Sequence, residues 1–237
     1  MSRVVGGLAY RVEGSGPAAL LLHPAFADSR AFDGEVAALV DRMTLVRVDL
    51  PGHGATRGRT DAPTMDAVAD VLAAILEAEG LDRVDVLGVS LGSLVGQDFA
   101  RRHPERVRSL TALGGYPVDD PTLARAQRWA LLTLLAALVF TPARFRRRVA
   151  REATATPAGR ARFEMLATGF GLGSFLAMRG MDQVVDGERT DVLGCPIQLL
   201  VGEHDLPLIH EANARWHAAV PGSRLEVLAG AGHCANL

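Results

Sequence analysis

Short apolar runs punctuate this chain at regular intervals, separated by longer stretches in which apolar residues recur every three or four positions. The runs are Ala18–Leu22, Thr44–Val48, Val84–Leu87, Val107–Leu113, Ile197–Val201 and Leu225–Leu228. Their length and near-continuous hydrophobicity fit strands buried on both faces, as the strands of a parallel sheet are. Between them, Phe32–Val40, Met65–Glu79 and Leu94–Arg102 carry the helical period. Strand and helix alternating in this way predict an α/β fold: a mostly parallel central sheet with crossover helices on both faces.

One stretch breaks the alternation. From residue 117 to residue 191 the pattern is helical throughout, interrupted by Pro121, Pro142, Pro157, Gly171 and Gly173. Lying between two predicted strands, it reads as a helical lid over the C-terminal edge of the sheet, where open α/β sheets bind their ligands. The expected division is a core formed by residues 1–116 and 192–237 and a lid formed by residues 117–191. Leu131, Leu134, Leu135, Leu138, Phe140, Phe163, Met165, Phe170 and Phe175 are the apolar lid positions, shared between a pocket roof and the lid's own core.

Composition narrows the class. A chain of 237 residues with 49% hydrophobic content supports one large core. The formal net charge is −2, from 27 acidic and 25 basic residues, and every basic residue is arginine. So balanced a chain has no electrostatic footprint for nucleic acid. The cluster Arg144, Arg146, Arg147, Arg148 and Arg151 reads first as a solvated helix face, and second as a patch for an acidic substrate or a membrane surface. Two cysteines, Cys195 and Cys234, and an N-terminus without the apolar run of a secretory signal point to a cytoplasmic protein. The longest apolar stretch, Trp129–Phe140, is too short for a bilayer, which needs roughly 20 residues.

The chemistry centres on Gly88-Val89-Ser90-Leu91-Gly92, which follows a predicted strand and opens a predicted helix. A serine between two glycines on a strand-turn-helix is a nucleophile elbow, in which a strained backbone pushes the hydroxyl toward substrate. Serine is a weak nucleophile and needs a base, and the base needs an acid that fixes its tautomer. Asp205 and His233 fall on loops after the last two predicted strands, in the chain order Ser, Asp, His. Glu203 and His204 flank Asp205 and are expected to point elsewhere; Asp119 is the alternative acid. His103, His210 and His217 read as helix-end or helix-surface residues, and no metal-ligand spacing appears, so neither a metal nor a cofactor is expected. An oxyanion needs backbone donors: the N–H of Leu91 is one, and the loop His23-Pro24-Ala25-Phe26 supplies the other. Pro24 has no N–H, which leaves Ala25 first and Phe26 second.

Together these motifs resemble the α/β-hydrolase fold family. The matching positions are the loop at His23–Phe26, Asp49-Leu50-Pro51-Gly52-His53-Gly54, the elbow, Asp205 and Gly232-His233. The stretch from Gly88 to Gln97, with His103-Pro104-Glu105-Arg106-Val107, is similar to small capped serine esterases and enol-lactonases. The resemblance implies cofactor-independent hydrolysis of a small-molecule carboxylic ester or lactone through an acyl-enzyme. A C–C bond hydrolase or lyase using the same residues, and a non-catalytic ligand-binding protein, are the alternatives. It also assigns Asp49 and His53 to the scaffold. Pro24 stands where the family usually has glycine and stiffens the loop. Members usually continue past the histidine into a final helix, whereas this chain stops at Leu237. The expectation is apolar sheet surface left exposed or covered by another subunit as a homo-oligomer, and lower stability.

Overall fold

The computed structural model describes residues 2–120, 138–185 and 193–237. Eight strands form one sheet: β1 (Arg3–Val5), β2 (Leu8–Glu13), β3 (Ala18–Leu22), β4 (Thr44–Asp49), β5 (Val84–Val89), β6 (Val107–Leu113), β7 (Ile197–Gly202) and β8 (Arg224–Leu228), in the spatial order β1-β2-β4-β3-β5-β6-β7-β8. From β4 to β8 every pairing is parallel, while β1 and β2 pair antiparallel at the edge. The six predicted strands are all present; β1 and β2 are additional. In β2 the residues Leu8, Tyr10 and Val12 face the core while Arg11 and Glu13 do not, an alternation suited to an antiparallel edge rather than to a strand buried on both faces.

Helices α1 (Asp33–Leu39), α2 (Val68–Ala78), α3 (Leu91–Arg102) and α8 (Pro207–Ala219) flank the sheet. Leu72, Ile75 and Leu76 of α2 and Leu94, Val95 and Phe99 of α3 pack on Leu20, Leu22, Val46, Val84 and Val86 to form the larger core layer. Trp216 of α8 covers Ile197 and Leu199 on the same side. α3 starts at Leu91, three residues before its apolar period becomes visible, because its first turn is built from Gly92 and Ser93 rather than from large apolar residues.

On the opposite face α1 covers only part of the sheet. Val36 and Leu39 pack near Ala19, Leu21 and Leu45, and Arg47 is buried beneath the helix, bonded to Glu13, to Asp33 and to the Ser29 carbonyl. Farther along this face Leu87, Thr111, Gln198 and Leu200 are only partly buried, in register across β5, β6 and β7.

Between β6 and β7 the described residues include the helices α4 (Pro142–Ala153), α5 (Pro157–Ala167), α6 (Leu172–Ala177) and α7 (Met181–Val184). Phe145, Val149, Ala153, Phe163 and Phe170 from this segment pack against Val89, Leu113 and Cys234 at the C-terminal ends of the strands. The predicted lid positions Leu131, Leu134 and Leu135 lie outside the described residues, as does most of the run Trp129–Phe140. Among the described residues no helix is long and apolar enough to cross a membrane.

Candidate active site

Ser90 sits at the junction of β5 and α3 with φ +50° and ψ −113°, a conformation that L-residues adopt only when their surroundings impose it. The surroundings here are backbone. A Cβ on Gly92 would run into the Leu22 carbonyl, and one on Gly88 into the backbone of Gly92 and Ser93. Both glycines are therefore required by close approach, and the turn between them is held further by Ser90 N–H donating to the Leu113 carbonyl at 2.8 Å.

Two loops at the ends of β7 and β8 bring the other groups to Ser90. His233 Nε2 lies 2.8 Å from Ser90 Oγ, and His233 Nδ1 lies 2.9 and 3.0 Å from the two carboxylate oxygens of Asp205. The Asp205 carboxylate is fully buried, and its Oδ1 also accepts the Leu206 N–H at 2.7 Å. The loops are tied to each other: Glu203 N–H donates to the Leu228 carbonyl, His204 N–H to the Ala231 carbonyl, and the Glu203 carboxylate accepts the Gly230 N–H at 2.7 Å. Glu203 thus points away from the cavity, as expected, but to a purpose: it braces the loop that carries His233. The arrangement can hold a neutral imidazole with its Nδ1 proton on Asp205 and its Nε2 lone pair on the serine hydroxyl, the state of a general base.

Leu91 N–H, in the first turn of α3, and Ala25 N–H have no hydrogen-bond partner among the described residues. Phe26 differs. It has φ +69°, and its N–H donates to His53 Nε2 at 3.2 Å. His53 in turn directs Nδ1–H at the Pro51 carbonyl, 2.8 Å away. Burial, reinforced by the neighbouring His23, pushes the His53 pKa down to about 3, so that the ring stays neutral and its Nε2 remains an acceptor. His23 is likewise buried with a lowered pKa, bonded to the Pro24 carbonyl and accepting the Leu50 N–H. Two buried neutral histidines therefore brace the loop that carries Ala25, a function not evident from sequence, where both read only as family scaffold or loop residues.

Above Ser90 lies a cavity of about 160 Å³, lined among the described residues by Pro24, Ala25, Phe26, Val149, Glu152, Ala153, Phe163, Leu206, His233 and Cys234. Of the predicted roof positions, Phe163 reaches this cavity; Leu138 and Phe170 are buried in the neighbouring core, and Phe140 and Met165 are exposed. Val149, Ala153 and Leu206 had no sequence signal beyond being apolar. Cys234 is buried and its thiol pKa is raised by desolvation, which leaves it unreactive beside Ser90. A larger cavity of about 330 Å³ lies to the side, lined by Arg11, Asp28, Arg30, His53, Arg57, Leu166 and Phe170 among others, and does not reach Ser90.

The remaining candidates fall elsewhere. The carboxylate that meets His233 Nδ1 is that of Asp205. His103 bonds Asp70 at the end of α3, and His217 bonds the Ser223 hydroxyl. In the arginine cluster on α4, Arg148 pairs with Glu152 while Arg144, Arg147 and Arg151 are exposed. Among the described residues no three His, Cys, Asp or Glu side chains are grouped to hold a metal.

Comparison with known proteins establishes the family. A family model for the alpha/beta hydrolase fold matches residues 18–237, and the chain belongs to that family. An uncharacterised protein of Mycobacterium tuberculosis is 32% identical, over 95% of this chain and 72% of its own length. A pimeloyl-[acyl-carrier protein] methyl ester esterase of Chromobacterium violaceum is 39% identical over 52% of this chain and 47% of its own length. Among solved structures, a thermophilic esterase from Thermogutta terrifontis superposes with a TM-score of 0.76 at 25% identity, covering 96% of this chain and 86% of that one. The enol-lactonase of Burkholderia xenovorans shares the fold, with a TM-score of 0.79 at 18% identity, 100% of this chain and 94% of that one being covered.

Proposed function

We propose that this protein is a cofactor-independent serine hydrolase of small carboxylic esters or lactones, with Ser90 as nucleophile, His233 as general base and acid, and Asp205 as the residue that orients His233. The observation that carries the reading is the unbroken chain of hydrogen bonds from buried Asp205 through His233 to Ser90 at the floor of an apolar cavity. In this reading Ser90 Oγ attacks the substrate carbonyl carbon while its proton passes to His233 Nε2. The oxygen that gains charge is held by the N–H groups of Leu91 and Ala25, since that of Phe26 is engaged by His53. His233 then gives the proton to the departing alkoxide as the C–O bond breaks. A water, deprotonated by His233, attacks the acyl-enzyme, and the proton returns to Ser90 as the acid leaves. Helices α4 and α5, which supply Val149, Ala153 and Phe163 to the cavity, serve as a lid over the site that shapes its apolar wall.

A small acyl or ring group matches the space over Ser90. An apolar cavity of about 150 Å³ takes a benzene-sized group, and the cavity over Ser90 is of that size. The test is hydrolysis of p-nitrophenyl acetate and butyrate and of a simple γ-lactone by the purified protein beside Ser90→Ala, with a fluorophosphonate probe to label the nucleophile. Turnover and labelling that both vanish in Ser90→Ala support the reading; turnover that survives the substitution removes it.

A further inference from the structure

Phe26 is the residue that lines both cavities at the C-terminal edge of the sheet: the small one over Ser90 and the larger one beside it. No other described residue is common to the two. Its ring is clamped between two lid phenylalanines, edge-on to Phe145 at 5.2 Å between centroids and to Phe170 at 4.9 Å, with interplanar angles of 90° and 89°. Its backbone is fixed as well, in the left-handed region and bonded through N–H to His53, whose own ring lies against Phe170. A side chain held by two perpendicular ring contacts and a strained, hydrogen-bonded backbone is a wall rather than a mobile surface residue.

We propose that Phe26 is the residue that sets the upper length of the substrate chain, by closing the Ser90 cavity against the neighbouring one. The inference rests on the ester-hydrolase reading. With the wall in place the substrate chain has about 160 Å³, the size that holds about six carbon atoms. Without it the chain continues into the adjoining 330 Å³, past Ala27, Leu166 and Phe170. Specificity for short esters is thus a property of one ring on the loop that also presents Ala25, and is set jointly by the core and the lid.

The test compares two substrate series: p-nitrophenyl acetate, butyrate, hexanoate and decanoate, which vary the acyl chain, and methyl, butyl, hexyl and octyl acetate followed by pH-stat, which vary the alcohol. Phe26→Gly removes the ring but keeps the N–H and tolerates the positive φ; Phe170→Ala removes one of the two rings that hold the wall. In the wild-type protein kcat/KM is expected to fall at least about tenfold beyond the six-carbon member in one of the series. In Phe26→Gly the ratio of the longest to the butyl-length substrate in that series is expected to rise at least about tenfold, and in Phe170→Ala by a smaller factor in the same direction. Ser90-dependent hydrolysis with no length limit in either series, or variants that lower every member by the same factor, overturns the role of Phe26 while leaving the hydrolase reading intact. A wild-type protein that hydrolyses no member of either series overturns both.

Discussion

Asp205 meets the His233 Nδ1 with both carboxylate oxygens, at 2.9 and 3.0 Å, and spends a further acceptor site on the Leu206 N–H. Replacing it with asparagine keeps the shape but turns an N–H toward Nδ1, which forces the wrong tautomer on the imidazole and removes the charge that stabilises its protonated form. On the hydrolase reading Asp205→Asn lowers kcat by about 10⁴ with KM nearly unchanged, the loss seen for such an exchange in a serine protease. Steady-state kinetics on p-nitrophenyl butyrate check it. A loss below tenfold would mean that Asp205 only packs the loop.

The elbow's tolerance is set by backbone contacts. Gly92→Ala places a methyl group against the Leu22 carbonyl in the centre of the sheet. Neither group can move without shifting β3 or α3, so the expected cost exceeds the roughly 1–3 kcal/mol usual for core overpacking. Thermal melting of Gly92→Ala beside Gly34→Ala, where a Cβ meets nothing, separates this contact from a general effect of replacing glycine.

Glu203 tests whether the His233 loop is braced from outside the cavity. Its carboxylate accepts the Gly230 N–H at the surface, and a hydrogen bond of this kind contributes about 0.5–1.5 kcal/mol. Glu203→Ala is expected to reduce kcat several-fold with little change in melting temperature. Glu203→Gln, which keeps an acceptor oxygen, should recover most of the loss; equal losses in both variants would argue against the brace.

Stability should depend on pH through His23 and His53. In the unfolded chain each imidazole takes up a proton below about pH 6.5, whereas folded His53 stays neutral down to about pH 3. The unfolded state therefore binds more protons across that window, and stability declines as pH falls from about 6.5 toward 3, with a slope of up to about 1.4 kcal/mol per pH unit for each such histidine. Urea titrations at about pH 7.5 and about pH 5 measure the difference, and it should shrink in His53→Gln, which carries no titrating group. An unchanged difference in that variant would show that other groups carry the acid sensitivity.

The grouping of residues at the candidate site is legible in the sequence where the signal is local. Gly88 to Gly92 announces itself in five residues, and Asp205 and His233 each follow an apolar strand at its C-terminal end, so chain order sufficed to join them. β2 carries no continuous apolar run, because Leu8, Tyr10 and Val12 alternate with Ala9, Arg11 and Glu13, and so its sequence does not announce a strand. The relation of Phe26 to His53 was out of reach: the two are 27 residues apart, and nothing in either segment says which N–H meets which ring nitrogen. The pocket face of the helices between β6 and β7 is equally hidden, because a helix such as α4 buries Phe145 and Val149 in a pattern that serves a core and a cavity alike.

The unusual backbone at Ser90 is imposed by its neighbours and owes nothing to serine itself. Gly88 and Gly92 are wedged against main chain, and the Leu113 carbonyl holds the amide between them. Position 90 is in effect a socket, and its fixture is the crossing of two glycines with the sheet. The two glycines, which have no room for a Cβ, are therefore harder to replace than the side chain they present.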